Sequence, residues 1–383
     1  MGVYAVTGGS NGIGAKTISI LKQKGHETIN IDWKRGDIEA DLSLPEGRQK
    51  AIDELFSLCP QGLDGLILCA GIPGSRKDLR LILSVNYFGT ISIIKGAYDL
   101  LKQKNGACVI SASSAISRED TELAPAANPG APVIPQLLAK DGELAAWMIG
   151  ELRGLGYTEV NLNLGCPSGT VTAKGKGSGM LRDPVKLDAF LAAVFANAEG
   201  PISVKTRLGV EKPEEFAAIL DIYNRYPICE LTIHPRVMRQ LYRGQADRAA
   251  FAAALPGCRM PVCYNGDVTT AADLHTLEAQ YPQLSGIMVG RGIIADPALF
   301  REARGGAPAA REELRGYLDD LYHGYSELFG SAGCAVSRMK GHWFYLIHKF
   351  EGAEKLEKQL RKVREPWEYE VVVNQIFTLP FRP

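Results

Sequence analysis

A chain of 383 residues, 46% hydrophobic and 22% charged, is globular and long enough for two or three domains; its formal net charge of zero excludes a uniformly polyanion-coating protein but leaves room for a local basic face. The eight cysteines are scattered, with no CxxC pair and no His/Cys cluster at zinc spacing, so they read as reduced core residues and no metal site is expected. No run of eighteen apolar residues exists, and MGVYAVTGG meets its glycines too soon for a signal peptide; the expectation is a soluble, cytoplasmic protein with no membrane partner.

The chain starts with an apolar strand (Val3 to Val6), then TGGSNGIG from Thr7 to Gly14, then a helical pattern from Ala15 to Lys24. Strand, glycine turn and helix in that order are the context in which Gly8, Gly12 and Gly14 mean dinucleotide binding, because bare amides at the helix start face a pyrophosphate. A second strand, Glu27 to Ile31, ends in Asp32, a carboxylate able to accept from ribose hydroxyls. Asp41, GLILCAG (65 to 71), VNYFGT (85 to 90) and ACVISASSA (107 to 115) continue a βαβ alternation.

By these strings, residues 1 to about 119 resemble the first half of a short-chain dehydrogenase/reductase. The resemblance implies that the glycines and Asp32 hold NAD, that Asp41 and the Cys69-Ala70-Gly71 turn flank the adenine, and that Asn86 and Ser114 fall on the Asn and Ser of the catalytic tetrad. The tetrad's Tyr and Lys are absent: no Tyr lies between Ser114 and Pro135, and the YxxxK matches fall elsewhere, Tyr98 with Lys102 ahead of Ser114 and Tyr345 with Lys349 in a C-terminal aromatic helix, where it reads as chance.

After a proline-rich junction at Arg118 to Pro135, short apolar strands alternate with amphipathic helices: VIPQLL (133 to 138), EVNLNLG (159 to 165), ISVKTRLG (202 to 209), ELTIHPR (230 to 236), PVCYNGD (261 to 267) and GIMVGRG (286 to 292). Apolar strands of this kind are buried on both faces of a parallel sheet, and a (β/α)8 barrel is the expected closure. Polar residues gather at the C-terminal strand ends, where such a barrel keeps its site: Gln136, Asn161, Asn163, Cys166, Lys205, Arg207, His234, Arg236, Asn265, Asp267 and Arg291. A Gly- and Lys-rich stretch after Cys166 reads as a loop that approaches a ligand closely.

The strings NLNLGCPSGTVTAKGKGSG, VKTRLG, TIHPR, YNGD and MVGRG resemble the tRNA-dihydrouridine synthases, in order and spacing, over roughly residues 120 to 383. The resemblance implies FMN against Gln136, Lys205, His234, Asn265, Gly266, Asp267, Gly290 and Arg291. It also implies Cys166 as the proton donor and Asn163, Lys174, Arg207 and Arg236 on the uracil and its phosphates. That family opens with a strand ending in a Pro-Met turn. This chain has none, so the barrel is expected to lack its first strand, with residues 107 to 111 standing in.

From residue 306 the pattern is helical, and Arg338 to Arg364 carries eight Lys or Arg against three Glu, interleaved with Trp343, Phe344, Tyr345 and Phe350. The resemblance makes this a tRNA-binding domain. The sequence is thus read as α/β in three parts. Residues 1–119 are a partial Rossmann-like doubly wound sheet, 120–305 an FMN-binding TIM-type barrel, and 306–383 a helical domain. The activity expected is FMN-dependent reduction of uridine to 5,6-dihydrouridine in tRNA, with NADPH or NADH as reductant. The alternatives are an NAD-dependent short-chain dehydrogenase/reductase and a non-catalytic fusion of two incomplete folds.

Overall fold

The computed structural model describes residues 2–72, 78–104, 108–111, 132–329 and 331–382. They fall into two compact units, Met1–Val133 with Gly150–Tyr157, and Ile134–Ile149 with Thr158–Pro383. Ser114 and the junction as far as residue 131 lie outside the described residues.

The first unit is built on a parallel sheet of β1 (Val3–Thr7), β2 (Glu27–Asp32), β3 (Ile38–Glu39), β4 (Gly65–Leu68) and β5 (Cys108–Ser111), in the order β3-β2-β1-β4-β5. The order reverses at β1, which leaves a crevice at the carboxyl ends of β1 and β4 where Rossmann-like sheets take nucleotides. The turn after β1 is glycine because nothing larger fits. Gly8 has φ 67°, and a Cβ there would lie 2.7 Å from the Ala70 backbone; one on Gly14 would lie 2.3 Å from the Gly8 carbonyl oxygen. Ala5, Ile31, Leu55, Leu66, Leu68 and Ile93 form the core beneath it, each buried Leu or Ile side chain contributing about 1.5–3 kcal/mol.

β5 corrects one expectation. It pairs in register with β4, Gly65 against Cys108 through Leu68 against Ser111, as the edge of this first sheet. It does not stand in for the first strand of the second.

The second unit carries β6 (Gln136–Leu137), β7 (Val160–Leu164), β8 (Ile202–Arg207), β9 (Leu231–His234), β10 (Val262–Asn265) and β11 (Gly286–Met288), all parallel and in strict sequence order. Among the described residues β6 and β11 do not pair, so these six strands form an open arc, two short of the eight a closed barrel needs. The expectation is a barrel lacking its first strand; residues 105–107 and 112–131, ahead of β6, lie outside the described residues.

Local chemistry fixes the ends of the intervening helices. Pro184 opens one at its first position while Asp183 accepts from Lys186 N. Thr270 and Asp273 cap each other at the start of Ala271–Gln280, which sets that helix just after the Asn265–Asp267 turn. Residues 306–383 form helices Arg311–Phe329, Ala332–Leu346, Glu354–Leu360 and Pro366–Ile376. They close on Leu318, Met339, Leu346 and Trp343, whose indole donates to Tyr369 Oη at 3.0 Å.

Candidate functional site

The second unit holds a cavity of about 820 Å³ at the carboxyl ends of its strands, within the range of ligand sites. Gln136, Asn163 and Cys166 line it from β6 and β7, Lys205 and Arg207 from β8, and His234 and Arg236 from β9. Asn265, Gly266 and Asp267 contribute from β10, and Gly290 and Arg291 from β11. Lys174 does not line it and is exposed on the loop after Cys166. Tyr242, Gln245 and Tyr345 line it without having been named as site residues, and apart from a YxxxK string at Tyr345 no pattern in the sequence marks them; Met288, from the string MVGRG, lines it too.

An amide chain crosses the sheet to Cys166. Asn161 Nδ2 donates to Ser203 Oγ at 2.9 Å, Gln136 Nε2 to Asn161 Oδ1 at 2.7 Å, and Asn163 Nδ2 to Gln136 Oε1 at 2.7 Å. Asn163 Oδ1 then accepts from the backbone N–H groups of Gly165 (3.1 Å) and Cys166 (2.9 Å). The Asn163 side chain is therefore engaged in holding the corner that presents the half-buried Cys166.

Part of the glycine-rich stretch packs against the backbone of Cys166. Ser178 donates to the Cys166 carbonyl through both N (3.0 Å) and Oγ (2.9 Å). Gly177 has φ 56°, and a Cβ there would stand 2.7 Å from that same oxygen. These glycines let backbone pack on backbone behind Cys166.

A second network centres on Asp267, a non-glycine residue at φ 46°. Its two oxygens accept from Arg236 Nη2 at 2.8 and 2.6 Å, and Oδ2 also from Ala246 N at 2.7 Å. Burial works to raise this carboxyl, but those hydrogen bonds and the Arg236 and Arg291 charges bring it below its ordinary value. Arg236, 1% exposed, also donates to Gly244 O and to His234 Nε2. Arg207 donates to Gly165 O and Val237 O, and burial holds its pKa down.

His234 Nδ1 lies 2.8 Å from Asn265 O, so Nδ1 carries the proton and Nε2 accepts from Arg236. Burial, then Arg207 and Lys205, push its pKa down to about 3. Between the ordinary value of 6.5 and about 3 the unfolded chain therefore binds a proton here that the folded chain refuses. Stability is expected to fall as pH drops through that window, by up to about 1.4 kcal/mol per pH unit from this residue. Urea midpoints at pH 7 and pH 5 check it: His234→Gln should flatten the difference, and an unchanged slope would refute the assignment.

Lys205 is different from its neighbours. Among the described residues its ammonium meets no hydrogen-bond or ion-pair partner, yet it is largely buried on the cavity wall, and burial followed by Arg207 lowers its pKa to about 8. The lining holds four cationic side chains, Lys205, Arg207, Arg236 and Arg291, against the single carboxylate of Asp267. The lining is therefore net cationic.

In the first unit Asp32 Oδ2 accepts from Ser10 N at 2.9 Å and Oδ1 from Trp33 N at 2.7 Å, beside the Gly8 turn. Asn86 grips Ile72 by both ends of its amide, Oδ1 accepting from N at 2.7 Å and Nδ2 donating to O at 2.8 Å. It braces the turn after β4. Asp41 Oδ1 accepts from Ser43 N.

Fold and site together define a two-unit α/β protein: a Rossmann-like sheet, and a second parallel sheet with a cationic cavity at its strand ends. The model of the family Dihydrouridine synthase (Dus) matches residues 107–378, and the chain belongs to that family. A tRNA-dihydrouridine(16) synthase of Cupriavidus necator is 29% identical over 257 residues, 64% of this chain and 78% of that one. A 3-alpha-hydroxysteroid dehydrogenase/carbonyl reductase of Comamonas testosteroni is 37% identical over 117 residues, 30% of this chain. The chain spans 46% of that reductase's length. Among solved structures, the 3-alpha-hydroxysteroid dehydrogenase of Pseudomonas sp. B-0831 complexed with NADH matches with a TM-score of 0.31 at 20% identity, over 78% of this chain and 98% of that one. The N-terminal part is thus similar to short-chain dehydrogenases, and the remainder carries the dihydrouridine synthase pattern.

Proposed function

We propose that this chain is a flavin-dependent tRNA-dihydrouridine synthase whose second unit is an arc of a (β/α)8 barrel. The observation that carries the reading is Lys205, a largely buried cation without a protein partner, on the wall of the cavity whose rim presents Cys166. The residues fit FMN: Lys205 meets negative charge, the amides of Gln136 and Asn265 meet polar ring edges, and Arg291 with Gly290 suits a phosphate. Reduced FMN, when bound, supplies a hydride to C6 of uracil.

Cys166 supplies the proton to C5, and Asn163 fixes its corner for that transfer. Arg207 and Tyr242, with the guanidinium 5.4 Å from the ring centroid, form the wall on which a flipped base can rest. Lys355, Lys358, Arg361, Lys362 and Arg364 are exposed along Glu354–Leu360 and just beyond it, beside Trp367 at 65% exposure. They form the phosphate-binding face of residues 306–383, which we read as the RNA-binding part. Lys340 and Lys349 of the same run are engaged inside the protein, with Val363 O and Asp296. Lys174, outside the cavity, is a candidate for a phosphate farther along the RNA.

The second reading, an NAD(H) site at Gly8, Gly12, Gly14 and Asp32, is favoured by the glycine turn at the point where the first sheet reverses its order. Such a site would hold NADH, with NADPH as the alternative reductant. No described helix is long and apolar enough to cross a membrane. We read the protein as cytoplasmic.

The test is flavin content of the purified protein with dihydrouridine analysis of tRNA incubated with it and NADPH or NADH. A colourless protein that binds NADH and leaves tRNA unchanged would refute the first reading and favour the second. Lys205 adds a separate expectation: at pH 9, above its lowered pKa, binding of an anionic flavin should take up a proton, seen as a buffer-dependent calorimetric enthalpy. Lys205→Met should abolish the uptake, and its persistence would move the anion elsewhere.

A further inference from the structure

Tyr345 and Lys349 form one of the two YxxxK strings in the chain, the other being Tyr98 with Lys102, and the structure gives Tyr345 and Lys349 work outside short-chain dehydrogenase chemistry. They lie at the end of helix Ala332–Leu346 and in the turn after it. Met339, Trp343 and Leu346 of this segment are at most 1% exposed in the helical core, which fixes its rotation. Tyr345 points away from that core and lines the strand-end cavity. One turn on, Lys349 Nζ meets Asp296 Oδ2 at 3.0 Å, with the two side chains only 12% and 17% exposed. Asp296 is itself anchored, its Oδ1 accepting from Ala298 N at 3.1 Å and its N–H donating to Gly292 O at 2.8 Å. It follows directly on Ala295, which lines the cavity on the same short helix as Arg291. The ion pair therefore pins Tyr345 at the Arg291 wall. Among the described residues the Tyr345 hydroxyl has no protein hydrogen bond.

We propose that Tyr345 is a further ligand-contacting residue of the cavity, donating its hydroxyl proton to a phosphate oxygen of the bound group beside Arg291, and that Lys349 is the positioning residue that holds it there. The inference rests on the flavin reading and deepens it. The helical segment supplies part of the cofactor site, so its docking and the loading of the cavity are coupled. A charged acceptor makes such a hydrogen bond worth about tenfold in affinity.

The experiment measures dissociation constants of FMN and of riboflavin, which lacks the phosphate, by flavin fluorescence on the full chain. Tyr345→Phe is expected to weaken FMN about tenfold and leave riboflavin unchanged, with an unchanged melting curve. Lys349→Met is expected to weaken FMN in the same direction, and the two losses should not add in the double variant. Unchanged FMN affinity in Tyr345→Phe, or an equal loss for riboflavin, would overturn the contact while the flavin reading stands. Additive losses would overturn the role of Lys349. A wild-type chain that binds neither flavin would overturn both this contact and the flavin reading.

Discussion

Replacing Cys166 with alanine is expected to lower dihydrouridine formation by about 100- to 10,000-fold, the range for loss of a positioned general acid, while flavin stays bound. The reasoning begins with placement. Cys166 sits two residues beyond the end of β7, its N–H held by Asn163 and its carbonyl by Ser178, so the backbone that carries the thiol is fixed from both sides. None of those contacts uses the sulfur, so the substitution removes the proposed proton donor and leaves the corner intact. Flavin content is expected to be unchanged because Lys205, His234 and the Asn265–Asp267 turn stand on other strands. Serine at this position, a far weaker acid, should rescue little. Product yield within a few-fold of wild type in Cys166→Ala would take the residue out of its role.

Asp267→Ala is expected to destabilise the second unit by about 3 kcal/mol, because removing one member of a buried ion pair strands the other. Arg236 is the stranded group: 1% exposed, with Asp267 its one carboxylate partner. The same change frees Ala246 N, which now donates to Oδ2 at 2.7 Å, and leaves a non-glycine residue at φ 46° without the contacts that hold it there. Asp267→Asn keeps two acceptors and loses only charge, so it should fall between wild type and alanine. Urea unfolding followed by near-ultraviolet circular dichroism measures both. A loss below about 1 kcal/mol for alanine would show that the carbonyls of Arg243 and Gly244 suffice for Arg236.

The sequence made the strand and helix beat legible because parallel strands buried on both faces are near-continuous apolar runs, as in Leu66–Leu68, or runs broken by one buried hydroxyl, as in Ile202–Val204 and Leu231–Ile233. It also made the strand ends legible, since each run stops at a polar residue, and the structure gathers Gln136, Lys205, His234 and Asn265 around one cavity. What it hid was tertiary. Gly177 looks the same whether it admits a ligand or the Cys166 carbonyl, and only the folded neighbourhood decides. Which partner the Asn163 amide takes depends on Gln136, a residue from another strand. Tyr345 has ordinary helical spacing, and nothing local tells which side of its helix meets a cavity.

The place of β5 bears on how this protein could be divided. The family pattern begins at residue 107, yet Cys108–Ser111 is hydrogen-bonded into the sheet of the preceding unit. A scissile point chosen at the start of the pattern would strip the outer strand from the N-terminal part and leave β4 with a bare edge, inviting self-association. A break near residue 133 would leave the described strands of each sheet on one fragment, at the cost of parting Gly150–Tyr157 from the first unit. The seam between the two kinships in this chain therefore lies some two dozen residues later in the fold than in the family pattern.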